Sequence, residues 1–277
     1  MSIPKIPLGE WVDSFVDFLQ DKLEPFFDLI TDGIGGFVEF IVWALSSIPP
    51  ALLIILFAAF TLWLSKWTNA LFTAVGLLLI YNLGLWGGTI DTLSLVLTSV
   101  VISIIIGVPI GIWISQNDTA KKIITPILDF MQTMPAFVYL IPAILFFGIG
   151  MVPGIIASVI FAMPPTIRLT NLGIRQVPED LIEAADAFGS TTKQKLLKVQ
   201  LPLATPTIMA GVNQSVMLSL SMVVTAALVG APGLGADVYR AVTQIKVGIG
   251  FEAGLALVIL AIVLDRISQN IGMKKQK

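Results

Sequence analysis

The chain has 277 residues, 56% of them hydrophobic and 12% charged, with a mean hydropathy of +0.92. Soluble domains carry roughly 25% charged residues, so a water-exposed globule is excluded and one integral membrane domain with a short N-terminal appendage is expected. The net charge of −2 leaves no basic footprint for nucleic acid, and the absence of cysteine and histidine removes disulfides, thiol catalysis, Cys/His zinc sites and imidazole acid–base chemistry.

The first residues are acidic and lack the basic flank and continuous apolar core of a cleavable signal peptide, so none is expected. Trp11, Phe15, Phe18, Leu19, Phe26 and Ile30 recur at helical spacing, with Asp13, Asp17, Asp21, Glu24 and Asp28 on the opposite face. The pattern predicts an amphipathic helix lying in a membrane interface and bent at Pro25. Its acidity suits the outer side, because helices that bind the anionic cytoplasmic leaflet are basic. Residues 1–46 form this interfacial segment and 47–277 the membrane domain. Gly35-Gly36 and Pro49-Pro50 bracket an apolar run over 37–48 that is open to two readings, a half-span or a surface segment.

A helix crossing hydrocarbon needs about 20 apolar residues, since every backbone polar group must be satisfied internally. Seven stretches approach this: 47–65, 69–86, 93–115, 134–149, 152–167, 207–230 and 253–264. If the loop over 168–204 is inside, then Lys66, Lys121, Lys122, Arg168, Arg175, Lys193, Lys195, Lys198, Arg266, Lys274, Lys275 and Lys277 all fall inside. Only Lys5, Lys22, Arg240 and Lys246 then fall outside. The excess of basic residues on the cytoplasmic side places the N-terminus out and the C-terminus in.

The seven stretches hold no Asp, Glu, Lys or Arg, with Glu252 at the edge of the last, which argues against a proton-driven carrier. An ion-coupled secondary carrier with a sodium site of hydroxyls and carbonyls stays open. Tyr139, Asn213, Gln214, Ser215, Ser219 and Ser221 are the candidates for a translocation path. Hydroxyls also serve helix packing in membranes, whereas the adjacent amides at 213 and 214 are costly against lipid and should face protein or a polar route.

From Arg168 to Ala204 charges of both signs interrupt the apolar pattern. Pro178 followed by Glu179 and Asp180 reads as a helix start. Leu181, Ala184, Ala185 and Phe188 make one apolar stripe, and Gly189 fits a left-handed cap that ends the helix. Thr191 and Gln194 have capping-box spacing for a second short helix, expected to stop before Leu201-Pro202. A helix, a glycine corner and a second helix therefore protrude, with the stripe as a docking surface.

Glu183-Ala184-Ala185, three residues, Gly189, nine residues, then Val199-Gln200-Leu201-Pro202 resembles the EAA loop of ABC importer permeases, with Val in place of Ile at 199. The runs Gln132–Leu140, Phe161–Thr170, Gly211–Gln214 and Leu220–Val224 are similar to the glycine betaine/proline betaine permeases of the OpuA and ProW type. The resemblance implies an all-α, polytopic type I (MetI-like) transmembrane domain of about seven spans in a bacterial inner membrane. It also implies that Glu183, Ala184, Ala185, Gly189, Leu201 and Pro202 belong to a coupling loop for a separate ATPase. Implied partners are a second permease copy, two ATP-binding subunits on the cytoplasmic side, an external substrate-binding protein and the bilayer. The chain holds no G-x-x-x-x-G-K-[ST] phosphate loop, so ATP and magnesium are expected on the partner, and this chain is expected to bind no cofactor or metal and to hold no catalytic residue.

Overall fold

The computed structural model describes residues 7–273, which form helices joined by short turns, without a strand among them. Lys5, Lys274, Lys275 and Lys277, used above for orientation, lie outside the described residues. Twelve α-helices follow in order: α1 Leu8–Ser46, α2 Pro50–Leu64, α3 Trp67–Asn82, α4 Trp86–Gln116, α5 Asp118–Thr133, α6 Ala136–Phe147, α7 Met151–Arg175, α8 Glu179–Ala187, α9 Thr192–Lys195, α10 Leu201–Ala226, α11 Leu234–Thr243 and α12 Val247–Met273.

The core is the trio α4, α7 and α10, with α12 against α10. With no hydrophobic drive between helices in lipid, close approach through small residues has to hold such a bundle together. A Cβ added at Gly111 of α4 would lie 2.5 Å from the Thr170 side chain of α7, and one at Gly211 of α10 would lie 3.1 Å from the Pro165 carbonyl oxygen of α7. Gly111 is therefore required by contact, and a side chain at Gly211 would make α7 give by a few tenths of an ångström. Between α7 and α10, the Ser215 hydroxyl donates to the Ala162 carbonyl and stands 2.7 Å from the Thr166 hydroxyl.

Of the seven expected spans, α4, α7, α10 and α12 are long and apolar enough to cross a membrane; with α1 the described residues hold five such helices, or six if the bent pair α5–α6 is one span. α2 and α3, of 15 and 16 residues, reach only about 22 to 24 Å at 1.5 Å per residue. α6 is half of a pair with α5, bent by 99°. The break has a local cause. Pro135 has no N–H to give the Met131 carbonyl one turn back, and the Tyr139 hydroxyl donates to that carbonyl instead, at 2.7 Å.

α7 and α12 run past their expected ends. α7 continues through Pro164-Pro165 to Arg175, since prolines are tolerated where neighbouring helices satisfy the freed groups. The long loop thus begins after Arg175 rather than at Arg168. α12 extends beyond Leu264 and carries Glu252, Asp265 and Arg266, while α4 carries Asp91 near its start. These ionisable residues lie on the same helices just beyond the stretches read as apolar.

α1 is one helix of 39 residues that passes through Pro25 and Gly35-Gly36. Phe27 stacks on Phe146 at 4.4 Å, and a Cβ on Gly35 would meet Val152 at 3.8 Å. α1 thus packs on α6 and α7 beside their turn and also on α4, with Val38 in the core. Where an interfacial segment was expected, α1 is by length and apolarity a helix that can cross a bilayer.

Candidate coupling loop and membrane path

The loop after α7 begins with Pro178 as the N-cap of α8, followed by the acidic first turn Glu179 and Asp180. Pro fixes the entering dihedral and the carboxylates meet the positive helix end. α8 closes as expected: Gly189 has φ +75°, its N–H donates to the Asp186 carbonyl at 2.9 Å, and the Ser190 N–H donates to the Ala185 carbonyl at 3.0 Å. This is a Schellman closure. The capping box of α9 is also present, with the Gln194 N–H donating to Thr191 Oγ1 at 3.3 Å and the Thr191 N–H donating to Gln194 Oε1 at 2.9 Å.

The second helix does not stop before Leu201-Pro202. It widens into a π turn over Leu196–Gln200 and continues as α10. Pro202 cannot donate to the Lys198 carbonyl, and the Leu201 N–H reaches back five residues to Leu196, so an i→i+5 turn absorbs the proline without a break.

α8 and α9 are braced by the Lys195 ammonium, which donates to both oxygens of Asp186 at 2.8 Å. The docking stripe is narrower than expected. Ala185 is only 9% exposed and turns inward, while Leu181, Ala184, Glu183 and Gly189 are exposed and Phe188 is 91% exposed. Leu181, Ala184 and Phe188, at i, i+3 and i+7, make one outward apolar ridge.

The base of the loop is tied into the bundle by contacts that motif reading missed. Buried Gln200 accepts from Gln116 Nε2 at 3.3 Å. The Arg175 guanidinium donates to the Ile114 carbonyl at 3.0 Å and to Asp118 at 2.6 Å. That hydrogen bond and the positive charge of Arg175 hold the exposed Asp118 carboxyl below its usual range. Arg168 pairs likewise with Asp129 at 2.6 Å. The signal available in the sequence was one of spacing, because Arg168 and Arg175 are seven residues apart and share a face of α7.

The six path candidates do not converge. Tyr139 is buried and committed to the α5–α6 bend. Ser215 is committed to α7, and Ser219 is buried without a hydrogen-bond partner among the described residues. Asn213 joins α12: its amide donates to Asp265 at 3.1 Å and its carbonyl accepts from Ser268, while Gln269 donates to the same Asp265 oxygen at 2.7 Å. Gln214 and Ser221 remain exposed, seven residues apart on one face of α10 with Met217 between them.

A helical arm thrust from a bundle of tightly packed membrane helices is the architecture of a transporter permease, and the comparisons agree. Residues 103–275 match the family described as binding-protein-dependent transport system inner membrane component. The chain belongs to that family, whose members are permease subunits of ABC transporters. It is 64% identical, over 99% of its length and 97% of theirs, to the glycine betaine transport system permease protein OpuAB of Bacillus subtilis (strain 168). To the glycine betaine/carnitine transport permease protein GbuB of Listeria monocytogenes serotype 1/2a (strain 10403S) the identity is 57%, over 99% and 98% of the two chains. To the glycine betaine/proline betaine transport system permease protein ProW of Escherichia coli (strain K12) it is 46%, over 96% of this chain and 75% of the relative. The fold is that of the MetNI methionine ABC transporter in inward-facing conformations, with a TM-score of 0.64 at 23% identity, covering 70% of this chain and 96% of that one.

Proposed function

We propose that the chain is the membrane-spanning permease of an ATP-driven, binding-protein-dependent importer of glycine betaine and related osmoprotectants. It works as a homodimer above two ATP-binding subunits, with ATP and magnesium held by those subunits and a substrate-binding protein on the outer side. The observation that carries this reading is the braced arm α8–α9 with its exposed ridge Leu181, Ala184 and Phe188, attached to α10 through the π turn. The N-terminus lies outside and the C-terminus in the cytoplasm, so the arm faces the ATPase. Its docking residues are Glu183, Ala184 and Gly189, with Ala185 packing the arm from within and Leu201-Pro202 forming its root. In this reading residues 1–46 are the N-terminal segment and 47–277 the permease domain.

Closure of the ATPase pair moves each arm as a lever. Because the root is fastened to α4 by Gln116–Gln200 and α10 is fastened to α12 by Asn213–Asp265, the motion reaches the core helices together. The face of α10 bearing Gln214, Met217 and Ser221 borders the path, offering neutral polar groups suited to a substrate with no net charge.

Proteoliposomes containing the permease, its ATPase and the loaded binding protein test the proposal. Glycine betaine uptake should require internal-side ATP and the binding protein and be indifferent to an imposed sodium or proton gradient. Uptake by the permease alone, driven by an ion gradient, would establish a secondary carrier instead.

A further inference from the structure

α2 and α3 form a hairpin with one side in the core. Ile54, Leu77 and Ile80 are buried together with Ile259 and Leu260 of α12, and a Cβ on Gly76 would lie 2.6 Å from the Ile259 side chain. On the side away from α12, an open groove of about 430 Å³ runs between the two helices. Ala51, Ile55, Ala58 and Leu62 form one wall, Ala70 and Ala74 the other, and every lining residue is apolar. Nothing among the described residues covers it: Ile55 is 62% exposed and Leu62 53%.

The width of the groove is fixed from beneath. The buried hydroxyls of Thr61 and Thr73 stand 3.4 Å apart across the hairpin, and Asn69 Nδ2 donates to Ser65 Oγ at 2.7 Å at the turn. Its dimensions select the occupant. Leu62 lies eleven residues from Ala51, about 16 Å along α2, which matches one leaflet of a hydrocarbon layer roughly 30 Å thick. Spread over that length, the volume gives a cross-section of about 27 Å², against about 80 Å² for a helix 10 Å across. A single hydrocarbon chain fits, and a helix from a second copy does not.

The end of the groove at the α2–α3 turn is positively charged. Lys66 comes four residues after Leu62, about 6 Å beyond the apolar walls. It is exposed and has no ion pair among the described residues. Trp63 and Trp67, each 67% exposed, flank it, and tryptophan gathers at the level of lipid headgroups. We infer that the α2–α3 groove seats one acyl chain of a phospholipid of the cytoplasmic leaflet, whose anionic headgroup pairs with Lys66. The inference rests on the importer reading for its orientation, which puts the α2–α3 turn inside. A lysine near that surface attracts anionic lipid, and the groove holds the lipid's chain in place.

The test titrates the permease–ATPase complex in detergent with phosphatidylglycerol and phosphatidylethanolamine of identical acyl chains, and native mass spectrometry counts the lipids bound. The wild type should bind phosphatidylglycerol more tightly. Lys66→Gln should weaken that binding about fivefold and leave phosphatidylethanolamine close to wild type. Ala58→Phe with Ala74→Phe fills the groove and should remove one bound lipid of either kind from each permease. Wild-type lipid binding in both variants overturns the inference. Dissociation of the permease dimer in the filled variant, with lipid binding unchanged, would assign the groove to a second copy and also overturn it. Labelling of Lys66→Cys in intact cells by an impermeant thiol reagent would reverse the orientation and overturn the leaflet assignment, whereas failure of ATP-driven uptake by the wild type would strike the importer reading alone.

Discussion

Replacing Gly235 with alanine should abolish most membrane accumulation and lower the stability of whatever permease is recovered by on the order of 3 kcal/mol. Gly235 is the second residue of α11, whose first residue is anchored to α4 by the Leu234 N–H donating to Thr92 Oγ1 at 2.9 Å. An added Cβ would stand 2.3 Å from the Val223 carbonyl oxygen and 2.6 Å from its carbon. Both are backbone atoms inside α10, so no side-chain rotation relieves the overlap; α11 would have to lift away from the core. Gly254→Ala is the control. Nothing lies within 4 Å of its added Cβ, and alanine is the better helix former by about 1 kcal/mol, so that variant should match or exceed wild type. Thermal unfolding of both variants in detergent makes the comparison, and equal melting temperatures would contradict the close-packed account of α10 and α11.

Gly189→Asp and Glu183→Lys should leave insertion and folding intact yet reduce glycine betaine uptake at least about tenfold relative to ATP hydrolysis, a loss of coupling of about 1.4 kcal/mol or more. Gly189 needs its positive φ of 75°, but aspartate tolerates that region better than most residues, and nothing lies within 4 Å of the added Cβ. The corner therefore keeps its shape and gains a charge on the proposed docking surface of the arm. Glu183 is exposed on α8, so reversing its charge also changes the surface presented and little else. The measured quantity is uptake per ATP hydrolysed in proteoliposomes, and a wild-type ratio in either variant would refute the coupling role.

The arm was legible because its signals are local. Pro178, Gly189 and the Thr191/Gln194 pair act on backbone groups within six residues, and each appears where the pattern placed it. What escaped reading depends on partners distant in sequence. Pro202 looked like a stop, since its compensation is a π turn rather than a break. Tyr139 looked like a path residue, although its hydroxyl replaces the donor that Pro135 lacks. Asp265 was passed over because apolar continuity ends at Leu264, yet α12 runs on and the carboxylate fastens Asn213. Hydropathy finds where a helix is apolar, and tertiary hydrogen bonds decide how far it extends. The substrate class was carried by the runs around Gln132, Pro164 and Asn213 through resemblance alone, and no spacing argument would have supplied it.

The proposed seating of the α8 ridge in a groove of the ATPase is tested most directly by site-directed disulfide formation. The chain has no native cysteine, and Phe188, at 91% exposure, is the ridge residue best placed to report. With Phe188→Cys paired against single cysteines in the membrane-facing groove of the ATPase, crosslinking should be rapid and its rate should change when ATP is bound. An intact complex that forms no such crosslink at any groove position, or forms it only through residues outside 179–202, would contradict it.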